Sequence, residues 1–284
     1  MLISIVYITK RPGGYDILFN CLKQQEYQNY ELIIVDDVLD ERKEKILKYA
    51  FELSIKLKIV TKSKNKTFED TKFGIANALN TGYIHASGDF VLTLMDYAWI
   101  PHGLLQSIYT FYSEINNQNN LLAFREIFFQ TENVIKEKLI DNSTLSIFEK
   151  NITESPKKMN LKICIHTFPS VNENVLYDET KYWELFCACI PRHILIGLNG
   201  IDEKLDYGDD YHEKNLSHRA RAIGSKIFID TKNIVQQIEH RNLLSKENYT
   251  WNRFAKDTNI PVGLKLIKES GVRINHNNFN LLFD

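Results

Sequence analysis

Apolar and polar positions fall into two kinds of block along the first hundred residues. LISIVYIT at 2–9, YELIIV at 30–35 and FVLTLM at 90–95 are short apolar runs rich in β-branched residues, and IKLKIVTK at 55–62 alternates apolar with polar. Runs of this length and composition predict strands, the unbroken ones buried on both faces. The segments between them carry helical spacing. YDILFNCLKQQEY sets Ile17, Leu18, Cys21 and Leu22 on one face, ERKEKILKYAFELS reads as a second helix, and EDTKFGIANALNTGYIHAS a third, with Ile75, Leu79 and Ile84 apolar. RPGG separates the first strand from the first helix. The resulting β-α-β-α-β-α-β order predicts an α/β fold with a mostly parallel, Rossmann-like sheet and helices on both faces. Such sheets bind ligands beyond the carboxyl ends of their strands. Three strand ends therefore matter: Thr9 to Arg11, Asp36 with Asp37, and Asp96.

The second half is less regular. Residues 112–162 are polar, with one strand-like stretch, LLAFREIFFQ. From ETKYWELFCACIP the pattern passes from a strand through a Gly-punctuated acidic loop, LNGIDEKLDYGDD, to a helix, LSHRARAIG, that stops at glycine. KIFID reads as a short strand and IVQQIEHRN as another, with His240 at its end. Residues 241–284 read as a polar helical extension with Trp251 and Phe254 as anchors.

Composition adds exclusions. The 284 residues are 44% apolar and 25% charged, enough for a full core. A net charge of −1 argues against a broad nucleic-acid surface. No apolar stretch approaches the ~20 residues of a membrane helix, and the N-terminus enters a strand at once, without a leader pattern. A cytoplasmic protein without a membrane-spanning segment is expected. Cys21, Cys164, Cys187 and Cys189 show neither a C-x-x-C pair nor zinc spacing, so reduced thiols are the expectation. Cys187 and Cys189 would share one face of a strand and pack in the core.

Asp96 is the sharpest anomaly. A carboxylate at the end of a buried strand is costly unless something pairs with it. A cap for a helix starting near Pro101 is the structural reading.

The stretch NTGYIHASGDFVLTLMDYAWIP resembles the family-2 glycosyltransferase pattern, in which Asn-x-Gly and Ala-x-Gly precede a strand ending in Asp-x-Asp and then a proline. IIVDDVLDE after the second strand, LNGIDEKLDYGDD and RARAIG resemble further elements of that family in the same order, over residues 2–230. The resemblance implies a GT-A fold: a catalytic domain over 1–240, with a nucleotide-sugar-binding half at 1–100 and an acceptor-binding half at 101–240, before the extension at 241–284. It implies an inverting, metal-assisted glycosyltransferase with a nucleotide-sugar donor, UDP-linked by preference, and Mn²⁺ or Mg²⁺.

Roles carry over residue by residue. Asp96 matches the last acid of Asp-x-Asp, the metal ligand, in a motif reduced here to one acid. His240 is the second candidate ligand, with a surface histidine as its alternative. Asp36 or Asp37 would accept hydrogen bonds from uracil or ribose, or cap a turn. Thr9, Lys10 and Arg11 match the loop around the base, Asn80 the asparagine near the donor, and Lys72 would reach a phosphate or stay solvated. Asp210, with Asp209 behind it, matches the general base, or the two form an exposed acidic turn. Trp183, Asp202 and Glu203 fall on the acceptor side, Trp183 as a wall for the sugar or as core.

Other classes fit less well. A nicotinamide dehydrogenase needs G-x-G-x-x-G after the first strand, where the chain has TKRPGGYD. A sugar-1-phosphate nucleotidyltransferase needs a Gly-rich phosphate loop, which KRPGG only approximates. A non-catalytic nucleotide-sugar-binding protein of the same fold remains open. The resemblance implies a carbohydrate, glycolipid or other hydroxyl acceptor without naming it, polysaccharide assembly being the commonest use, with a modified nucleobase or a protein side chain left open.

Overall fold

The computed structural model describes residues 1–9, 14–36, 43–61, 74–131, 161–164, 175–177, 187–207 and 212–239. Its first half follows the hydrophobic pattern: β1 (Ile3–Thr9), α1 (Tyr15–Lys23), β2 (Tyr30–Asp36), α2 (Lys43–Glu52), β3 (Leu57–Val60), α3 (Ile75–His85) and β4 (Phe90–Met95). β5 (Ala98–Trp99), α4 (Leu104–Ser113), β6 (Leu121–Thr131), β7 (Leu161–Cys164) and β8 (Val175–Tyr177) come next. β9 (Cys187–Pro191), α5 (Arg192–Gly197), α6 (His212–Ala222) and β10 (Ile227–Glu239) complete the order.

The strands form one sheet in the order β3-β2-β1-β4-β9-β6-β10-β5, with β7 beside β6 and β8 beside β10. β1 is parallel to both β2 and β4, β9 runs antiparallel between β4 and β6, and β10 is parallel to β6. Period-2 alternation sends Ile3, Ile5 and Tyr7 of β1 to one face, against α1 and α4, and Val6 and Ile8 to the other, against α3 and α6. Ile17, Leu18, Cys21 and Leu22 are all buried under α1. α3 lies so close to β1 that a Cβ on Gly82 would fall 2.2 Å from Val6 Cγ1.

The sheet curls. Only Asp96 and Tyr97 separate β4 from β5, yet β5 pairs antiparallel with β10 at the far end of the strand order. A flat sheet would place those strands roughly 19 Å apart, beyond the ~11 Å that three residue steps span. The far edge therefore comes round toward the end of β4.

One departure from the sequence pattern has a local cause. KIFID and IVQQIE are one strand, β10, with a register shift between Asp230 and Val235. The buried Asp230 carboxylate accepts from the backbone N–H of Lys232 (2.8 Å) and Asn233 (3.0 Å), from Asn233 Nδ2 (2.7 Å) and from Ser107 Oγ on α4 (2.6 Å). With the amides of the irregularity satisfied, the strand continues through it instead of ending. Cys187 and Cys189 do share a face and pack in one cluster with Leu92 and Leu122, their thiols pushed up first by burial. The 241–284 extension lies outside the described residues. No helix among the described residues is long and apolar enough to cross a membrane.

Candidate active site

The ends of β1, β2 and β4 meet at one edge. Ile8 is in register with Met95 and Thr9 with Asp36, so Thr9 lies between the end of β2 and Asp96. Asp96 is only 2% exposed, and Thr9 Oγ1 donates to its Oδ2 at 2.9 Å in a buried contact. It does not cap the following helix: Gly103 stands at the N-cap of α4, and β5 intervenes. The helix-cap reading of Asp96 is therefore replaced by a buried carboxylate held across the β1–β4 pair.

The surroundings of Asp96 are tightly drawn. Tyr7 lies one pleat behind Thr9 with its hydroxyl buried; burial first, and the nearby Asp96 charge next, hold it well above its ordinary value and hence neutral. Tyr97, directly after the acid, adopts φ 60°, a left-handed conformation that turns the chain toward β5. Gly14, at φ 83°, passes close enough that a Cβ there would sit 3.2 Å from Tyr7 Oη and 3.4 Å from Tyr97 N. The chain after β1 thus re-enters the fold against the end of β4, and a side chain at 14 would press on the Tyr7 hydroxyl in a backbone conformation that disfavours one.

A second cluster organises the acidic loop. Arg219 on α6 is 2% exposed; its Nη1 donates to Leu198 O (2.6 Å), Nη2 to Gly200 O (2.7 Å) and Nε to Asn215 Oδ1 (2.8 Å). Burial pulls this guanidinium down to about 10, with Asp202 acting in the opposite direction. From the other side, Asn80 on α3 donates through Nδ2 to Ile201 O (2.8 Å) and Glu203 Oε1 (3.0 Å) and accepts from Ile201 N (2.9 Å). Asn77 Nδ2 donates to Glu203 Oε2 at 3.0 Å. Asn80, expected at the donor, and Glu203, expected at the acceptor, thus hold the 198–203 loop, and Asp202, also expected at the acceptor, is fully buried within it.

The structure brings Thr9 and Asp96 together with the end of β2 at Asp36. Lys10, Arg11, Asp37, Lys72, Trp183, Asp209, Asp210 and His240 lie outside the described residues, as does the side chain of Asp36. Among the described residues no three His, Cys, Asp or Glu side chains converge as a metal cluster. The donor set at Asp96 is nonetheless a hard carboxylate at a strand end. That suits a divalent cation taking its remaining oxygens from a ligand's phosphates. Sequence reasoning missed Asp206 and His212. Asp206 reads as one more acid in an acidic loop, and the only signal was its position three residues after Glu203. A cavity of about 610 Å³ sits at the opposite end of the sheet, lined by Met1, Gly88, Phe90, Tyr109, Tyr112 and Arg192 among others, away from this chemistry.

The strand order, the curl and the acid at the end of β4 define a GT-A type fold. The model of glycosyl transferase family 2 matches residues 16–179, and the chain belongs to that family. No curated protein matches it in sequence. Among solved structures, TarS of S. aureus aligns with a TM-score of 0.57 at 13% identity, over 90% of this chain and 39% of that one. The mannosyltransferase PcManGT from Pyrobaculum calidifontis, in complex with GDP-Man and Mn²⁺, aligns with a TM-score of 0.56 at 14% identity, over 94% of this chain and 64% of that one. GalNAc-T7 with UDP, GalNAc and Mn²⁺ aligns with a TM-score of 0.55 at 14% identity, over 84% of this chain and 44% of that one. The chain thus spans well under two thirds of the length of TarS.

Proposed function

We propose that the protein moves a sugar from a nucleotide-sugar donor, UDP-linked by preference, to an acceptor hydroxyl with inversion, using a divalent cation, Mn²⁺ or Mg²⁺, held at Asp96. The observation that carries this is Asp96 itself: a buried carboxylate, held by Thr9, at the sheet edge where α/β folds bind ligands. Its support includes the structures of similar fold, which hold UDP-GlcNAc, GDP-Man with Mn²⁺, and UDP with Mn²⁺. When bound, the cation offsets the charge that builds on the diphosphate as the sugar bond breaks. His240 is the second proposed ligand. β10 ends at Glu239, two residues past Gln237, and its antiparallel pairing of Gln237 with Ala98 directs that end toward Asp96.

Thr9, Lys10, Arg11, Asp36 and Asp37 form the proposed base and ribose site, and Lys72 the proposed phosphate contact. The acceptor oxygen attacks the anomeric carbon, the bond to the diphosphate oxygen breaks, and the acceptor proton passes to the Asp210 carboxylate, with Asp209 as its neighbour. Such base help is worth roughly 10²–10⁴ in rate. Trp183 would wall the acceptor sugar, a carbohydrate or glycolipid hydroxyl.

Thermal unfolding with UDP and Mn²⁺ tests the reading. At 100 times its dissociation constant the ligand should add about 2.7 kcal/mol, and Asp96→Ala should remove the metal-dependent part. If no nucleoside diphosphate shifts the transition with metal present, the donor assignment is wrong. If UDP binds but no UDP-sugar is hydrolysed or transferred, the protein is a binder.

A further inference from the structure

The N-terminus of α3 carries an unusual cap. Asp206, 1% exposed, accepts from Ala76 N–H at 2.7 Å through Oδ1 and from Asn77 N–H at 2.8 Å through Oδ2. A helix start is ordinarily capped by the residue beside it; here the carboxylate comes from 130 residues further along the chain. The residue in the N-cap position, Gly74, has no side chain, and a Cβ on it would lie 2.5 Å from Asp206 Oδ2. The space a local cap would use is filled by Asp206.

His212 meets the same carboxylate. Its Nε2 lies 3.4 Å from Asp206 Oδ1, with the two side chains 2% and 0% exposed. Asp206 and His212 are six positions apart in sequence, and their contact sets the two residues against each other. Both flanks are fixed further out: Arg219 holds Leu198 and Gly200, while Asn77 and Asn80 hold Ile201 and Glu203. In sequence, Asp209 and Asp210 lie between Asp206 and His212. The same helix start is where the chain returns from residues 62–73, which carry Lys72.

We propose that Asp206 and His212 are positioning residues. Seated together on the N-terminus of α3, they fix both ends of the segment bearing Asp209 and Asp210, and so set where the acceptor-side base stands relative to the donor side. The inference rests on the reading of Asp210 as that base. A buried acid–imidazole contact is a costly way to cap a helix; what it adds over a local cap is a fixed distance between α3 and the acidic loop. Misplacing a base by a fraction of an ångström slows proton transfer without touching donor binding.

Three substitutions test it: Asp206→Asn, His212→Gln, and Gly74→Ala, which displaces the carboxylate while leaving both groups chemically unchanged. Donor affinity, transfer kcat, its pH profile and the unfolding temperature are measured for each, and again with Asp210→Asn added. Transfer kcat should fall roughly 10- to 100-fold for Asp206→Asn and Gly74→Ala and less for His212→Gln. Donor affinity should stay within about 2-fold and the acidic limb of the kcat profile should move. In the Asp210→Asn background the same changes should cost nothing further, because residues acting as one unit are not additive. Variants that lose unfolding temperature but keep kcat and its pH profile overturn the proposal and leave a purely structural cap. So do double variants whose losses multiply. If Asp206→Asn fails to fold, Gly74→Ala and His212→Gln carry the same comparison. The two readings fail differently: full transfer by Asp210→Asn sinks the base assignment, whereas a slow Asp210→Asn beside wild-type Asp206 and Gly74 variants sinks only the positioning role.

Discussion

At the scale of single residues, two buried carboxylates sit at opposite ends of the sheet and answer to different physics. Asp96 takes a hydrogen bond from Thr9, so Thr9→Val should leave it short of a donor. A hydrogen bond to a charged group contributes about 1.5–3 kcal/mol; urea unfolding of Thr9→Val should show a loss of that order, and added Mn²⁺ with UDP should recover part of it. Glu31, near the start of β2, accepts at Oε1 from Ser4 Oγ, Ser87 Oγ and Ser87 N–H, with the Lys56 and Lys58 ammoniums 3.5 and 3.6 Å from Oε2. Burial on its own pushes this carboxyl up. The hydrogen bonds from Ser87 and Ser4, with Lys58, outweigh it and hold Glu31 at about 2, below its ordinary 4.5. As pH falls the unfolded chain takes this proton first, so Glu31 stabilises fully above pH 4.5 and loses its effect toward about pH 2. The urea midpoints of wild type and Glu31→Gln should differ most at neutral pH and converge across that window; a constant gap would mean the charge contributes nothing. Thr9 and Asp96 could be found in the sequence because a polar residue ending an apolar run is conspicuous. Asn80, Glu203 and Asp206 could not be assigned their structural roles, because the partners of each lie about 120 to 130 residues away.

At the scale of elements, the alternation of apolar runs and helical spacing located β1 to β4 and α1 to α3, because each buries a face that its own residues specify. The pattern failed where a buried side chain within the strand satisfies its own irregular backbone. β10 is one strand because Asp230 satisfies the amides at its irregularity, and that carboxylate is legible only once α4 and its Ser107 are in place. α3 offers a sharper test. Alanine in place of a mid-helix glycine ordinarily gains about 1 kcal/mol. At Gly82 the new methyl would collide with Val6 at 2.2 Å, and overpacking of this kind costs about 1–3 kcal/mol. Gly82→Ala should therefore destabilise on balance. Adding Val6→Ala should cost less than that change does in the wild type, since it makes room for the methyl, and a double-mutant cycle by chemical denaturation reads the coupling. Strictly additive losses would mean that α3 moves off the sheet instead.

At the scale of the whole molecule, the curl brings the β5–β10 edge round to the end of β4, so that chemistry gathers at one end while the 610 Å³ cavity occupies the other. Hydrogen exchange with UDP and Mn²⁺ present should slow the amides of Asp96 to Trp99 and leave those of Asp89, Phe90 and His193 unchanged; protection at the far end instead would relocate the ligand. The cap on α3 also gives the chain a history. Asp206 is translated about 7–26 s after Ala76, the time 130 residues take at roughly 5–20 residues per second. Until then the start of α3 lacks its cap, and β4 lacks its neighbour β9, which begins at Cys187. The amino-terminal half therefore emerges from the ribosome with an open strand edge and an unfinished helix, and its architecture locks only when the carboxy-terminal half arrives to close it.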